Sequence, residues 1–349
     1  MRDLGQSGDL RRFLGVVAEH HEPHLDVFVV SEPSSRALPA NGGLRVGHYA
    51  SPDAAREEAF MLTERMCLKH RLHATGFVGA KLVANVSAPV ATMKDRIIDV
   101  VAGLLEQLNG EVYTGCDMNF DAADAARLAH ASPYVLAAVD SPIDASAATG
   151  HGVYGSFAGA VAAEAEQGAP NPQSVLVHGV GAVGRTVVER ALADGLEVFT
   201  VDRVPRRAAL DGCTPLDRDA WWKKDVDAWV LCSGSGVIEP RMVDDLPCRL
   251  VVSGANGPFA EGAETIAAAR ATVVPDVMSN AGAVMVDSIE RYNPWSWARA
   301  APTDVYRMVE HRHRRATIKY LQYDRPPTFS DEPRRPCGLD YEARTQYAV

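Results

Sequence analysis

The sequence predicts an α/β protein with two domains, the second of which contains a doubly wound parallel sheet. The length of 349 residues suits about two domains, and strand-like apolar segments alternate with helical ones in the second half of the chain. Small and turn-forming residues over 140–152 are typical of a hinge. We therefore expect a first α/β domain over 1–144, a second domain over 145–300, and a C-terminal helix and tail over 301–349 that return to the first domain.

Composition excludes several classes of protein. The 45 acidic residues outnumber the 35 basic ones and give a formal charge of −10, which argues against a nucleic-acid partner. We expect no membrane partner because no uninterrupted apolar segment reaches about 18 residues. Residues 1–5 lack the apolar core of a secretory signal, so we expect a cytoplasmic location. The six cysteines include no C-x-x-C pair, and we expect neither a bound metal nor a disulfide framework.

A helix in the first domain carries a lysine on its apolar stripe. Ser51 is a suitable N-cap, and Pro52 suits the first helical turn. Apolar residues then recur at steps of three and four, and Lys69 occupies the next position of the stripe that they form, which consists of Ala55, Ala59, Leu62 and Met66. This lysine either extends past the helix end to water or points into a cleft to bind an anion.

Two further residues of the first domain are candidates for acid–base chemistry. Lys81 lies inside the glycine-rich apolar run 76–88, where burial would disfavour the ammonium form and bring its pKa toward the range useful for catalysis. The alternative is a strand-edge lysine that reaches water. Asp117 ends the strand-like segment 111–117, and reacting groups of α/β folds commonly lie at strand ends. A solitary aspartate is also an ordinary turn residue.

The most specific local signal is a glycine loop. Strand-like residues 174–178 precede Gly179-Val180-Gly181-Ala182-Val183-Gly184, a helical segment follows to about residue 194, and a second strand over 196–201 ends at Asp202. In this context G-x-G-x-x-G binds a dinucleotide, because the glycines permit a tight turn and let the diphosphate approach the helix N-terminus. The second domain is therefore predicted to be a Rossmann domain.

The same domain indicates which dinucleotide is bound. Asp202 would accept hydrogen bonds from the ribose hydroxyls and repel a 2′-phosphate, which favours NAD. Arg203, Arg206 and Arg207 follow closely and could neutralise a phosphate, so NADP remains the less favoured alternative. Loops of small residues follow the later strands at the sheet edge where the nicotinamide would lie; they contain Cys232, Ser233, Ala255, Asn256 and Asn280.

Taken together, the motifs between about residues 37 and 295 resemble the glutamate/leucine/phenylalanine/valine dehydrogenase family. The glycine pair with its arginine, the two lysine motifs separated by twelve residues and the aspartate segment occur in the order typical of that family. They are Asn41-Gly42-Gly43-Leu44-Arg45, Met66-Cys67-Leu68-Lys69, Gly79-Ala80-Lys81 and Thr114-Gly115-Cys116-Asp117. Three motifs of the second domain complete the set: Thr149 to Tyr154, Gly254 to Pro258, and Pro275 to Gly282.

The resemblance implies NAD(P)-dependent, reversible oxidative deamination of an L-amino acid to a 2-oxo acid and ammonia, in a cleft between the domains of a homo-oligomer (a dimer or larger). Lys69 would hold the substrate carboxylate, Lys81 would activate water, and Asp117 would shuttle protons to and from the amino group. Asn280 would hydrogen-bond the substrate, and Thr149 would contact the cofactor.

The chain departs from the family pattern at three positions. Val78 and Ala80 stand where the family has glycines before the second lysine, and Ala283 replaces a glycine after Asn280-Ala281-Gly282. Because glycines let backbone approach a ligand closely, we expect the Cβ atoms at 78 and 80 to narrow or redirect the carboxylate site.

The resemblance also suggests a substrate side-chain pocket. The family's specificity positions correspond here to Asn41, Val284 and Asp287, and we expect Gly42 and Met66 to bind the substrate as well. An apolar substrate would leave Asn41 and Asp287 without partners. We therefore expect a substrate side chain with a hydrogen-bond donor or a positive charge, and not glutamate. An Asp287 that faces outward would remove this argument.

Two other functions remain open at this stage. One is an imine reductase of specialised metabolism on the same fold, which the altered glycines would suit. The other is a non-catalytic NAD-binding protein, for which the loss of Lys81 or Asp117 would be expected; both residues are present.

Overall fold

The computed structural model describes residues 11–139 and 141–322, and within them the chain forms two compact units. The first, which we call the lysine unit, contains residues up to 141 together with 287–299. The second, the parallel-sheet unit, contains 142–286 and 300–322. The predicted fold class, an α/β chain with a doubly wound parallel sheet, is confirmed.

The lysine unit contains a mixed sheet of six strands. In space the strands follow the order β1-β2-β5-β3-β6, and β4 also pairs with β5. β1 and β2 are antiparallel to their neighbours, whereas β3 and β4 run parallel to β5. The strands are β1 (Gly15–Glu22), β2 (Leu25–Ser31), β3 (Ala40–Asn41), β4 (Leu44–Gly47), β5 (Val78–Val86) and β6 (Val112–Tyr113). The helices are α1 (Pro52–His73), α2 (Val90–Leu108) and α3 (Ala122–Ala131).

The two faces of β5 belong to different cores. Val78, Ala80, Leu82 and Ala84 are buried in one cluster with apolar residues of α2. Val83 belongs instead to a cluster with Ala55 and Ala59 of α1. Since side chains alternate along a strand, Lys81 shares the α1 side of the sheet with Val83.

The parallel-sheet unit has six parallel strands in the order β12-β11-β10-β7-β8-β9. From β7 the chain continues to β8 and β9 on one side, and from β10 it continues to β11 and β12 on the other. The switch point, where open α/β sheets bind ligands, therefore lies between β7 and β10. The strands are β7 (Ser174–His178), β8 (Glu197–Val201), β9 (Cys213–Pro215), β10 (Ala228–Leu231), β11 (Leu250–Ser253) and β12 (Thr272–Val274).

Most helices of the described residues follow these strands or flank them. They are α4 (Ala145–Ala165), α5 (Ala182–Ala193), α6 (Pro205–Ala208), a 3₁₀ helix (Trp221–Lys223), α7 (Pro240–Val243), α8 (Ala263–Ala268), α9 (Asp276–Ser279), α10 (Gly282–Tyr292), α11 (Pro294–Trp297) and α12 (Pro302–Gln322). The unit boundary falls inside α10, so its second half and α11 belong to the lysine unit. No helix in the described ranges is long and apolar enough to cross a membrane.

The C-terminal helix corrects one expectation. The sequence analysis places residues from 301 onward with the first domain, but α12 belongs to the parallel-sheet unit and packs along α4. The reason is a row of glycines on α4: a Cβ at Gly155 would overlap the carbonyl of Glu310, and one at Gly159 would meet that of Arg314. The described segment that returns to the lysine unit is instead residues 287–299. The predicted tail from 323 onward lies outside the described residues.

Candidate active site

The glycine pair Gly42-Gly43 interrupts one edge of the lysine-unit sheet. β3 and β4 lie on either side of it, and both pair in parallel with β5. A Cβ at Gly42 would overlap the carbonyl oxygen of Ala80, and one at Gly43 would lie 2.5 Å from the carbonyl oxygen of Cys116. Only glycines let the strand break here while the segment that carries Asp117 approaches β5.

A third glycine brings the two lysine-bearing elements together. A Cβ on Gly79 would overlap the sulfur of Cys67 and lie 2.5 Å from its backbone nitrogen. The missing side chain therefore allows α1, which carries Lys69, to pack directly on the start of β5, which carries Lys81. Both lysines are buried, with exposures of 8% and 6%.

Lys81 and Asp117 form the centre of a charged cluster. The Lys81 Nζ lies 2.6 Å from Asp117 Oδ2. Arg45 donates to the same carboxylate through Nε at 3.1 Å and donates through Nη1 to Glu58 Oε1 at 2.8 Å. Arg45 is part of the sequence motif, but its contact with Asp117 was missed, because no spacing rule links residues 72 positions apart.

The surroundings of this cluster change its protonation. Burial alone would raise the pKa of Asp117, but Lys81 and Arg45 outweigh burial and hold this pKa well below its usual range. Burial lowers the pKa of Lys81, whereas the carboxylate of Asp117 opposes that shift. The pair therefore rests as ammonium and carboxylate, and loss of the Lys81 proton removes one of the cations that keep Asp117 ionised.

Lys69 differs from Lys81 in its partners. In the parts of the chain that the structure describes, no hydrogen bond or ion pair holds its ammonium group. Burial, followed by the charges of Arg65 and Lys81, lowers the pKa of Lys69 to about 7. A buried lysine surrounded by cations has a strong electrostatic preference for an anionic ligand.

The structure corrects the expectation about Val78 and Ala80. Both side chains point into the core shared with α2, on the sheet face opposite Lys81. Their Cβ atoms therefore do not narrow the lysine site, since alternation along β5 directs them away from it. Ala283 is also accommodated: its backbone N–H donates to Thr149 Oγ1 at 3.2 Å.

Asn41 and Asp287 correct a second expectation. The two side chains were expected to lack partners without a polar substrate, but Asn41 Nδ2 donates to Asp287 Oδ2 at 2.8 Å. Asn41 Oδ1 is buried and has no hydrogen-bond partner among the described residues. Burial raises the pKa of Asp287 to about 8, although its bond from Asn41 opposes this. The pair thus retains one unused acceptor.

Two buried residues that the sequence analysis missed hold this site in place. His70 donates through Nε2 to the Asn41 carbonyl at 2.9 Å, while its Nδ1 accepts from Thr75 at 2.6 Å. Burial lowers the pKa of His70 to about 4, which keeps the ring neutral. Glu32 accepts from the Gly79 backbone N–H at 3.0 Å and pairs with Arg71 of α1. No local pattern distinguishes these side chains from surface residues.

The glycine loop of the parallel-sheet unit has the geometry of a dinucleotide cradle. Gly179 has φ +95°, and a Cβ on Gly184 would overlap the Gly179 carbonyl, whereas the space beside Gly181 is open. Asp202 follows β8 and accepts from Val180 N–H at 2.8 Å through Oδ2. A cavity of about 450 Å³ lies here; it is lined in part by His178, Gly179, Gly181, Asp202, Arg203, Cys232 and Ser233. These residues fit a dinucleotide.

The loops after the later strands contain one further unused acceptor. Asn280 donates through Nδ2 to Gly254 O at 3.2 Å and to Asn256 Oδ1 at 2.9 Å. Its own Oδ1 is buried and has no partner within the described ranges. Thr149 donates to Ala145 O within its helix. The remaining predicted site residues lie at the start of α5, beside β11, in α1 and in α10, and are Ala182, Val183, Ala255, Met66 and Val284. No cluster of potential metal ligands occurs in 11–139 or 141–322.

Comparison with known proteins agrees with this geometry. The sequence profile of the family described as Glutamate/Leucine/Phenylalanine/Valine dehydrogenase matches residues 201–326. A valine dehydrogenase of Streptomyces coelicolor is 28% identical over 275 residues, 74% of each chain.

Two solved structures share the fold. L-tryptophan dehydrogenase from Nostoc punctiforme has a TM-score of 0.72 at 20% identity and covers 90% of this chain and 91% of its own. A hetero-hexameric glutamate dehydrogenase from Thermus thermophilus has a TM-score of 0.67 at 18% identity and covers 89% and 87%.

The fold is that of the two dehydrogenase structures, and the glycine loop has the shape of a dinucleotide site. The profile match over 201–326 and the similarity to the valine dehydrogenase over 74% of the chain support the resemblance to the glutamate/leucine/phenylalanine/valine dehydrogenase family. The resemblance deduced from the motifs is confirmed at this level.

Proposed function

We propose that the protein catalyses the NAD-dependent, reversible oxidative deamination of an L-amino acid to a 2-oxo acid and ammonia. The observation that carries this proposal is the Lys81–Asp117 ion pair next to a buried lysine, Lys69, whose ammonium has no partner among the described residues. The glycine loop 179–184 and Asp202 would hold a nicotinamide dinucleotide, which when bound would supply the hydride chemistry at the substrate Cα.

Lys69 binds the α-carboxylate in this proposal. An anionic ligand supplies the counter-charge that the buried ammonium lacks, so binding restores the pKa of Lys69 toward its ordinary value. The helix α1 and the strand β5 are held together at Gly79 and Glu32, which fixes the carboxylate in relation to Lys81. Such fixed orientation lowers the entropic barrier to reaction.

Lys81 and Asp117 then move the protons. In its neutral form Lys81 removes a proton from the water that attacks the iminium carbon of the substrate, and in its charged form it returns that proton. Asp117 carries protons to and from the amino nitrogen. Because Lys81 and Asp117 are in contact at 2.6 Å, deprotonation of the lysine raises the basicity of the carboxylate.

The choice of NAD is supported by Asp202. Its carboxylate follows β8 directly and lines the cavity, where it can accept hydrogen bonds from the ribose hydroxyls. Asn280 Oδ1 is available to accept from the substrate or from the nicotinamide carboxamide.

The substrate side chain is proposed to carry a hydrogen-bond donor. Burying an apolar group against Asn41 would leave its Oδ1 without a partner, at a cost of roughly 1–3 kcal/mol. A neutral donor such as an indole N–H, or a cationic group, satisfies that oxygen. A carboxylate side chain offers no donor to Asn41 Oδ1, which argues against glutamate.

The test is NADH oxidation with ammonia and the 2-oxo acids of tryptophan, arginine, leucine and glutamate. We expect ammonia-dependent turnover that favours the first two, and a loss of about 10²–10⁴-fold in kcat for Lys81→Met. Unchanged binding of 5′-AMP to Lys81→Met would show that the variant is folded. Turnover without ammonia would indicate reduction of the ketone to a 2-hydroxy acid, and turnover only with a preformed imine would indicate an imine reductase. No turnover with any of the acids would contradict a deamination.

A second variant tests the side-chain pocket. Asn41→Leu removes the unused acceptor, so we expect its kcat/KM to shift toward the 2-oxo acid of leucine by about tenfold relative to that of tryptophan. A wild-type preference for leucine or glutamate would refute the donor hypothesis and leave the deamination untouched. We also propose a homo-oligomer; the similarly folded glutamate dehydrogenase from Thermus thermophilus is an oligomer too, although a hetero-hexamer.

A further inference from the structure

We infer that Glu58 is a positioning residue of the proposed active site, which holds Arg45 between two carboxylates and so controls the proton transfers of Lys81 and Asp117. The inference rests on the proposed deamination, in which Lys81 and Asp117 move protons. Its basis is a bridging guanidinium: Arg45 donates through Nη1 to Glu58 Oε1 at 2.8 Å and through Nε to Asp117 Oδ2 at 3.1 Å. No sequence motif described above contains Glu58.

Three elements bring these groups to one side of the lysine-unit sheet. Arg45 of β4 lies beside Val83 of β5, whose side chain packs against Ala59 of α1. Lys81 precedes Val83 by two residues and therefore shares its face of the sheet. Glu58 comes immediately before Ala59, so α1 presents its carboxylate to the guanidinium over this same face.

The charges of the cluster are balanced and largely shielded from water. Lys81 and Arg45 carry two positive charges, and Asp117 and Glu58 carry two negative ones. The side chains are 8%, 13%, 20% and 23% exposed in that order. Solvent therefore screens them less than it screens surface charges, and neutralising Glu58 would leave one positive charge in excess.

This balance matters for Asp117, which has to take up a proton in the proposed reaction. Burial favours its neutral form, but Lys81 and Arg45 outweigh burial and hold the pKa of Asp117 well below its usual range. Lys81 loses its charge when it acts as a base, whereas Arg45 stays charged. Glu58 competes for the Arg45 guanidinium and so limits its hold on Asp117.

The same carboxylate acts on Lys81. Burial lowers the pKa of Lys81, Asp117 opposes this shift, Arg45 adds to it, and the negative charge of Glu58 offsets Arg45. Without that negative charge the ammonium form of Lys81 is less favoured. We therefore expect the pKa of Lys81 to fall when Glu58 is neutralised.

Two other titratable side chains face the cluster. Burial, followed by the charge of Glu58, raises the pKa of Tyr49 to about 12, so the phenol stays neutral. The pKa of Lys69 is about 7, and its charge interacts with those of Lys81, Asp117 and Arg45. In the proposed complex the substrate carboxylate pairs with Lys69, so kcat at saturating substrate reports Lys81 and not Lys69.

The test compares Glu58→Gln with the wild type in the oxidation of L-tryptophan by NAD, with kcat measured between about pH 6 and pH 10. Glutamine keeps an oxygen that accepts from Arg45 but lacks the charge. We expect the rise of kcat with pH, which follows loss of the Lys81 proton, to move down by about one pH unit. The maximal kcat should fall about tenfold, because Asp117 then accepts protons less readily, and KM should stay within about threefold.

Glu57→Gln is the matched control. Glu57 precedes Glu58 on α1 and carries the same charge, but it pairs with Arg11. We expect its pH profile to lie within about 0.2 pH units of the wild type. Glu58→Asp restores the charge and should return most of the wild-type profile. An unmoved profile in Glu58→Gln, an equal change in Glu57→Gln, or no recovery in Glu58→Asp would each overturn the inference.

A second measurement does not depend on turnover. Trace acetylation of the full chain with acetic anhydride over a range of pH, followed by peptide mass spectrometry, gives the pKa of Lys81. We expect Glu58→Gln to lower it by about one pH unit. An unchanged pKa of Lys81 would overturn the inference alone. The expected fall in a wild-type background that shows no deamination would support the role of Glu58 and contradict the proposed function.

Discussion

The side chain of Asn41 donates a 2.8 Å hydrogen bond to the carboxylate of Asp287. Asn41 ends the two-residue strand β3, and Asp287 lies in the second half of α10, so the bond joins the sheet of the lysine unit to the segment that returns to it. Asp287 is partly accessible, yet its surroundings disfavour the charged form and raise its pKa to about 8. The carboxyl group of Asp287 in this hydrogen bond therefore changes its protonation state near neutral pH.

Asp287→Asn should change how stability depends on pH. The folded pKa of Asp287 is raised, so between about pH 4 and pH 8 the unfolded chain has lost a proton that the folded chain retains, and the free energy of unfolding falls as pH rises. The asparagine keeps an acceptor for Asn41 and does not titrate. In urea unfolding, the free energy of unfolding of the variant should rise relative to that of the wild type by about 1 kcal/mol or more between pH 5 and pH 8. A difference independent of pH would contradict this.

Binding of the substrate carboxylate should weaken as pH rises through the pKa of Lys69. That pKa is about 7 in the free protein, and only the protonated lysine attracts an anion. The affinity for a 2-oxo acid should therefore fall by about tenfold between pH 6 and pH 8, as calorimetry would detect. Lys69→Arg should remove most of this dependence, because the guanidinium stays charged. An equally steep fall in the arginine variant would assign the titration to another group.

Gly79→Ala should separate α1 from β5. The added methyl overlaps Cys67, so we expect a loss of about 1–3 kcal/mol in stability and a clear fall in kcat as the two lysines move apart. Ala80→Gly is the matched control: it removes a methyl from the opposite face, which should cost about 1 kcal/mol and leave kcat within about threefold. If both variants lost the same activity, the face assignment would be wrong.

Two glycines of the cofactor loop should behave differently when replaced. The space beside Gly181 is open, so Gly181→Ala should keep its melting temperature but lose affinity for 5′-AMP and NAD by about tenfold. Gly184→Ala places a methyl against the Gly179 carbonyl, and we expect it to destabilise the fold by about 1–3 kcal/mol. Thermal unfolding combined with calorimetry distinguishes the two effects, and a destabilised Gly181→Ala would contradict the open space.

The parts of the site that could be predicted from sequence are those in which local spacing determines geometry. The glycines of the loop 179–184 predict its tight turn, and the twelve-position spacing of Lys69 and Lys81 places the two lysines on neighbouring elements. Glu32 and the Arg45–Asp117 contact could not be found, because tertiary packing alone brings them to the site. Likewise, the sequence does not show which side of the sheet Ala80 and Lys81 face, because both faces of β5 are covered by apolar clusters.

The short connection between α1 and β5 has a consequence for how this chain can vary. α1 ends at His73, Ala74 reverses the chain with φ 48°, and β5 begins at Val78. A single inserted residue within β5 would turn Lys81 into the apolar core and bring an alanine or leucine to the site instead. The face of the sheet on which Lys81 lies therefore depends on whether the number of β5 residues before it is odd or even. We expect insertions and deletions to be tolerated only in the four residues that join α1 to β5.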